Sequence, residues 1–261
     1  MSMRDFWRIV REVIEQSDVV IEVLDARMPH ETRNRKAERM VKMHRKPLII
    51  VVNKRDLITS EIAKKYRKSL KKVGNCIFIS TKNKRGIVSL KEEIMKLGKR
   101  RRRKRGRVRV GVIGYPNTGK SSLINAIAGR KKARVAAKPG FTRGVQWINA
   151  GENIRLLDTP GVIPLGERDE VRQALIGVLD VSKIRDPMVV AKRIVELFLE
   201  QNKQVFEEKY GIEVGEKSFP GIVREIGRVR HMLKKGGKID LRRVYLTIIN
   251  DWQKGELLLK G

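Results

Sequence analysis

Eight consecutive residues constrain this chain more than any others: Gly114-Tyr115-Pro116-Asn117-Thr118-Gly119-Lys120-Ser121. A short apolar run, Val108–Ile113, precedes them, and a helical pattern, Ser121–Ala128, follows. Glycines at this spacing let successive backbone amides wrap an anion, and the helix that follows adds its partial positive end. Lys120 is placed to reach outer phosphates and Ser121 to put a hydroxyl on Mg²⁺. A glycine bend can precede any helix. The Lys-Ser pair and the strand–turn–helix context are what make this one a P-loop.

The rest of the chain supplies a sheet for that turn. An amphipathic helix opens the chain, with Phe6, Trp7, Ile9, Val10, Val13 and Ile14 at helical spacing. Strands are expected at 18–24, 47–52, 76–79, 108–113, 145–148 and 154–157, and helices at 31–43, 59–72, 89–97 and 121–128. The run Pro47–Val52 is continuously apolar, as suits a parallel strand covered on both faces. Strands alternating with helices predict an open, mainly parallel α/β sheet. From about residue 168 the period is helical, at 171–179, 187–210, 220–233 and 241–254. This predicts a P-loop NTPase domain over 1–166 followed by an all-α helical domain over 167–261.

Charge narrows the partners. The 261 residues carry 60 Lys and Arg against 29 Asp and Glu, a formal net charge of +31. A chain that repels itself this strongly points to a polyanion, nucleic acid before membrane. Residues 1–98 hold 24 basic and 12 acidic side chains, and residues 99–109 hold nine basic and no acidic ones. That block is expected as a linker inside the first domain; a solvated segment and a direct phosphate contact both fit it. A lone cysteine, Cys76, excludes a disulfide framework and a cysteine metal cluster, and its apolar neighbours suggest a small core residue. No membrane helix or signal peptide is evident, so a soluble cytoplasmic monomer is expected.

Three further elements carry chemistry. Asp158-Thr159-Pro160-Gly161 follows a strand directly, so that the acid can hold Mg²⁺ and the Gly161 amide can meet a γ-phosphate. Thr142, in Pro139-Gly140-Phe141-Thr142, offers a hydroxyl to the same ion. Asn53-Lys54-Arg55-Asp56 ends the most apolar strand. A carboxylate there can accept from both the N1 and N2 donors of guanine, a pair that adenine lacks. Lys54 can lay its aliphatic stem over the base. Ser80-Thr81-Lys82 ends the next strand, where a backbone amide can bond guanine O6. Asn-Lys-Arg-Asp argues against the rival reading, a P-loop kinase or ATPase.

The order of these motifs resembles that of a known family. In ordinary Ras-like GTPases the P-loop comes first and the guanine motifs last; here Asn53–Asp56 and Ser80–Lys82 precede the P-loop, Thr142 and Asp158–Gly161. The chain is similar to the circularly permuted GTPases of the YlqF/YawG (RbgA-like) family. The early Asp25-Ala26-Arg27-Met28-Pro29 also matches. So do the tail segments 234–240 and Asn250-Asp251-Trp252-Gln253-Lys254-Gly255.

The resemblance implies a Ras-like sheet with strand order 5-6-4-1-2-3, hydrolysis of GTP to GDP, and a switch role in assembling the large ribosomal subunit. Its partners would be the subunit precursor and rRNA, with no membrane and no small-molecule substrate besides GTP. The implied nucleotide site is Asn53, Lys54, Arg55, Asp56, Ser80, Thr81, Lys82, Asn117, Thr118, Gly119, Lys120, Ser121, Ser122, Asp158 and Gly161. Mg²⁺ falls to Ser121, Thr142 and Asp158, and Lys120, Thr142 and Gly161 are the implied catalytic set. Asn117 either holds a K⁺ ion near the phosphates or only shapes the loop. Val162 stands where Ras positions its attacking water with Gln, so intrinsic hydrolysis is expected to be slow and stimulated by the ribosome. Bacterial members carry an N-terminal His proposed to assist; residues 1–16 contain none, and that role is not carried over. An RNA-binding assembly factor with a mainly structural nucleotide is the alternative.

Overall fold

The computed structural model describes residues 3–99, 106–129, 146–158, 170–257 and 259. Its contacts divide into two units: residues 1–56 with 63–168, and residues 57–62 with 169–261.

The first unit begins with α1 (Met3–Gln16) and β1 (Val19–Asp25). Every residue of β1 is buried, as its β-branched run requires of a strand covered on both faces. Helix α2 (Arg35–Met43) starts later than the 31–43 expected. Asn34 caps it, its side chain accepting from the Ala37 amide, and the residues before it form a turn. Then come β2 (Leu48–Asn53), α3 (Ser60–Leu70), β3 (Asn75–Phe78) and α4 (Ile87–Lys99). They are followed by β4 (Val108–Ile113), α5 (Lys120–Ala128), β5 (Gln146–Ala150) and β6 (Ile154–Asp158).

The strands form one sheet in the order β3-β2-β1-β4-β6-β5, which is the implied 5-6-4-1-2-3 read from the other edge. All neighbours are parallel except β5 with β6. Ile21, Val23, Val51, Val110 and Val112 face α4 and α5 in one core, while Val20 and Leu157 pack with α1 and α2 in the other. The ends of the expected 99–109 linker are tied down. Lys99 closes α4, Arg107 donates to the Glu152 carbonyl, and Arg109 pairs with Asp18. Arg100–Arg105 lie outside the described residues. Cys76 is half-buried on the edge strand rather than in the core, and burial pushes its thiol up to about 11.

The second unit contains α6 (Glu170–Leu175), α7 (Pro187–Gln201), α8 (Lys203–Tyr210), α9 (Phe219–Val229) and α10 (Leu241–Lys254). The expected helix 187–210 is broken at Asn202, which closes α7 with its amide and caps α8 with its side chain. Helix α10 packs chiefly on α7. Its Trp252 is fully buried, donates to the Leu175 carbonyl at 2.7 Å and stands edge-on to Phe198. The 250–255 tail segment is therefore core and cap, with Gly255 ending the helix at φ 74°. Between α9 and α10, Leu233 bridges Ile239 across a turn that presents Lys234, Lys235 and Lys238 to solvent. Among the described residues no helix is long and apolar enough to cross a membrane.

Candidate functional site

Asp25, Asn53, Phe78, Ile113 and Asp158 end the parallel strands at one edge of the sheet. Ligands of open α/β sheets bind beyond that edge, where strand order reverses. Here the reversal falls between β1 and β4, and the loop 114–119 leaves β4 at that crevice.

The loop demands its glycines. A Cβ on Gly114, at φ 142°, would sit 2.6 Å from the Val23 carbonyl oxygen. One on Gly119, at φ 95°, would sit 2.2 Å from Asn53 Nδ2. Asn117 also takes a left-handed backbone, at φ 59°, which Asn tolerates better than most side chains. Lys120 is nearly buried, and its Nζ donates to the Tyr115 carbonyl at 2.7 Å inside the loop. Thr118 Oγ1 donates to the same carbonyl at 2.9 Å. Ser121 and Ser122 stand half-buried in the first turn of α5, whose N-terminus has no side-chain cap. First-turn amides without a capping side chain, beside a buried ammonium, make a cradle fitted to phosphate.

Asn53 joins this loop to the base-side elements. Its Nδ2 donates to the Thr118 carbonyl at 3.0 Å, and its Oδ1 accepts the Thr81 amide at 3.1 Å. One buried amide thus ties three segments that are far apart in sequence. Asp56 lies in a single 3₁₀ turn after Lys54, and Ser80 Oγ donates to its Oδ1 at 2.5 Å. Arg55 is held by its backbone, donating to the Ile79 carbonyl, and Lys82 is exposed. The side chain of Asn53 braces the loop, and that of Ser80 orients Asp56.

Lys54 has φ 63°, and its Nζ turns back onto Asp25 Oδ2 at 2.6 Å. Asp25 and Asn53 are cross-strand partners, which brings Lys54 within reach. Arg27 grips the same carboxylate with its amide and Nε on Oδ1 and a terminal nitrogen on Oδ2. Burial alone would raise the Asp25 carboxyl, but the Arg27 and Lys54 charges and hydrogen bonds outweigh it. They hold Asp25 below the usual carboxylate range. Burial lowers the Lys54 ammonium despite Asp25. The only sequence signal for this triad was an acid at a strand end, Asp25, followed by Arg27.

Asp158 ends β6 opposite Val112 of β4, two residues before Gly114. Thr142, Gly161 and Val162 lie outside the described residues.

The comparisons with known proteins fit this geometry. A family model described as 50S ribosome-binding GTPase matches residues 109–210. The chain is 37% identical over 250 residues, 96% of its length, to an uncharacterized GTP-binding protein of Methanocaldococcus jannaschii. It is 32% identical over 252 residues to ribosome biogenesis GTPase A of Thermotoga maritima, covering 95% of this chain and 87% of that protein. The crystal structure of GNP-bound YlqF from T. maritima superposes with a TM-score of 0.65 and 28% identity, over 98% of this chain and 96% of that one. The chain spans 65% of the archaeal relative's length and about half the length of several eukaryotic relatives.

Proposed function

The chain belongs to the circularly permuted YlqF family of GTPases, and from that premise we propose that it binds GTP and GDP at the carboxyl edge of its sheet. It hydrolyses GTP, and the nucleotide state switches its contact with a precursor of the large ribosomal subunit. One observation carries the nucleotide assignment: Asn53 links the phosphate loop at Thr118 to the base-side turn at Thr81. A site built that way holds phosphate and purine at a fixed separation.

In this reading Gly119, Lys120, Ser121 and Ser122 take the phosphates, with Asn117 and Thr118 shaping the loop. Asp56 reads N1 and N2 of guanine, steadied by Ser80, while Thr81 and Lys82 border O6. Arg55 fixes the turn between Lys54 and Asp56. Water attacks the γ-phosphorus in line, the bond to the bridging oxygen breaks, and GDP leaves with that electron pair. Lys120 stabilises charge on the outer phosphates.

Mg²⁺ bound together with a nucleotide takes few protein groups and the phosphate oxygens besides. Ser121 at the start of α5 and Asp158 at the end of β6 would hold it, with Thr142 completing the set. When bound it neutralises charge between the outer phosphates. K⁺ at Asn117 would add charge there. Gly161 would sense the γ-phosphate. Val162 offers the attacking water no polar group of its own, so turnover would be slow unless a group from elsewhere in the chain or from the ribosome positions the water.

The RNA contact rests on surface charge. Helix α3 and its following turn expose Lys64, Lys65, Arg67, Lys68, Lys71 and Lys72 on one side, while Ala63 and Leu70 are buried on the other. Among the described residues none of the five lysines joins an ion pair with a carboxylate. The second unit, the proposed RNA-contacting domain, exposes Lys234, Lys235, Lys238, Arg242 and Arg243 around the α9–α10 turn.

Co-sedimentation with large subunits under a non-hydrolysable GTP analogue and under GDP, across a salt series, tests the switch. Binding should be stronger with the analogue and fall as salt rises. Equal binding in both states removes the switch. Val162 favours a second reading, a factor whose nucleotide is structural, and phosphate release that large subunits do not accelerate would support it.

A further inference from the structure

The ion triad below Lys54 has no task in the reading above. Asp25 and Arg27 are almost fully buried, at 4% and 3% exposure, at the end of the central strand β1. The carboxylate accepts four hydrogen bonds, three from Arg27 and one from Lys54. It also pairs with two cations, the buried Arg27 and the partly exposed Lys54. The Asp25 amide accepts a further constraint, donating to Thr32 Oγ1, which in turn donates to the Met28 carbonyl. The carboxylate is thus fixed from its own backbone, from Arg27 and from the turn beyond.

What this fixed carboxylate controls is a long, four-carbon side chain on a left-handed backbone. Lys54 sits between Asn53, which is tied to the phosphate loop, and Asp56, which is oriented by Ser80. A lysine stem laid over a purine loses rotamer freedom on binding unless something holds its ammonium beforehand. Asp25 does hold it, at 2.6 Å.

We propose that Asp25, clamped by Arg27, is a positioning residue that preorganises the Lys54 stem as the platform for the guanine ring. The triad thereby sets nucleotide affinity at the base end of the site. The proposal rests on the assignment of Lys54 to the base. It requires that loss of Asp25 weaken GDP and GTP by the same factor, because the phosphates are not involved. It also requires that the effect pass through Lys54.

Equilibrium binding of fluorescent GDP and of a fluorescent non-hydrolysable GTP analogue to Asp25→Asn, Lys54→Met and the double variant tests this. Asp25→Asn should weaken both nucleotides alike, by about tenfold. In the Lys54→Met background it should cost nothing further. The ratio of GDP to inosine diphosphate affinity, which reads the Asp56 contact, should stay at the wild-type value. Should Asp25→Asn fail to fold, Arg27→Lys, which keeps the charge and loses the fork, carries the same expectations at a smaller factor. Wild-type affinity in the Asp25 variant overturns the proposal. So do effects that multiply in the double variant, or a changed guanine-to-hypoxanthine ratio, either of which makes Asp25 a general support. If Lys54→Met binds as wild type, the base assignment of Lys54 falls and the proposal falls with it.

Discussion

Asn53 uses both ends of its amide, and the groups they satisfy are backbone atoms of two segments far apart in sequence. Asn53→Ala leaves a buried carbonyl and an amide without these partners, and each unmade bond costs about 1–3 kcal/mol. Chemical denaturation should show a loss in that range, and nucleotide affinity should fall more than tenfold because loop and base turn separate. Asn53→Asp keeps the acceptor for Thr81 and loses the donor to Thr118, so it should cost affinity as well. Glu22 makes a second residue-scale case. It is fully buried in β1; one oxygen accepts the Asn34 amide at 2.6 Å, and the other has no donor among the described residues. Burial raises its carboxyl well above the ordinary 4.5, the neighbouring Glu38 raises it further, and Arg33, paired with Glu38, opposes only weakly. The folded state therefore keeps a proton that the unfolded chain has released above about pH 4.5. Stability falls as pH rises from there through the folded value. Glu22→Gln removes that dependence. It should be more stable than wild type by about 1 kcal/mol at pH 8, with the gain shrinking toward pH 4.5 in urea titrations.

At the scale of elements, local chemistry sets most boundaries and long-range contacts set the rest. Asn34 and Asn202 both set a helix boundary by capping. At Asn202 the apolar pattern continues through the cap, because Phe198 before it and Phe206 after it are both buried, so periodicity alone overextends the helix. At Asn34 the residues before the cap, Glu31, Thr32 and Arg33, are polar and only the residues after it turn an apolar face inward. Helix α10 is held by its far end. Trp252 donates to Leu175, and Gln253 donates to the carbonyls of Ala174 and Leu179. Buried Tyr210 also donates to Asp251. Trp252→Ala removes the largest buried side chain together with its hydrogen bond. The second unit should lose about 3–5 kcal/mol, read as a lower denaturant midpoint. Trp252→Phe, which keeps the ring and not the donor, should lose much less.

At the scale of the molecule, the net charge of +31 acts through particular surfaces. Arg107 and Arg109 are engaged within the fold, while the α3 lysines are not in ion pairs among the described residues. Reversing Lys64, Lys68 and Lys71 to Glu together should weaken binding to large subunits and leave nucleotide affinity unchanged. The slope of log affinity against log salt should become shallower by about 2, at about 0.7 per lost phosphate contact on single-stranded RNA. An unchanged slope would place the RNA contact elsewhere on the molecule.

The phosphate turn, the run of alternating elements and the permuted order of the motifs are legible from the residues alone. Each of these is written in contiguous residues, as backbone freedom at Gly114 and Gly119 or as apolar periodicity. Tertiary structure alone decided which side chains meet. Asp25 reaches Lys54 only because β1 and β2 are in register at Asp25 and Asn53. Asn53 reaches Thr118 only because sheet order brings β2 and the loop after β4 to one crevice. Register is set by the packing of every strand at once, so no local stretch of sequence records it. That is why the contacts of Asn53 with Thr118 and of Ser80 with Asp56 are not written in the motifs themselves.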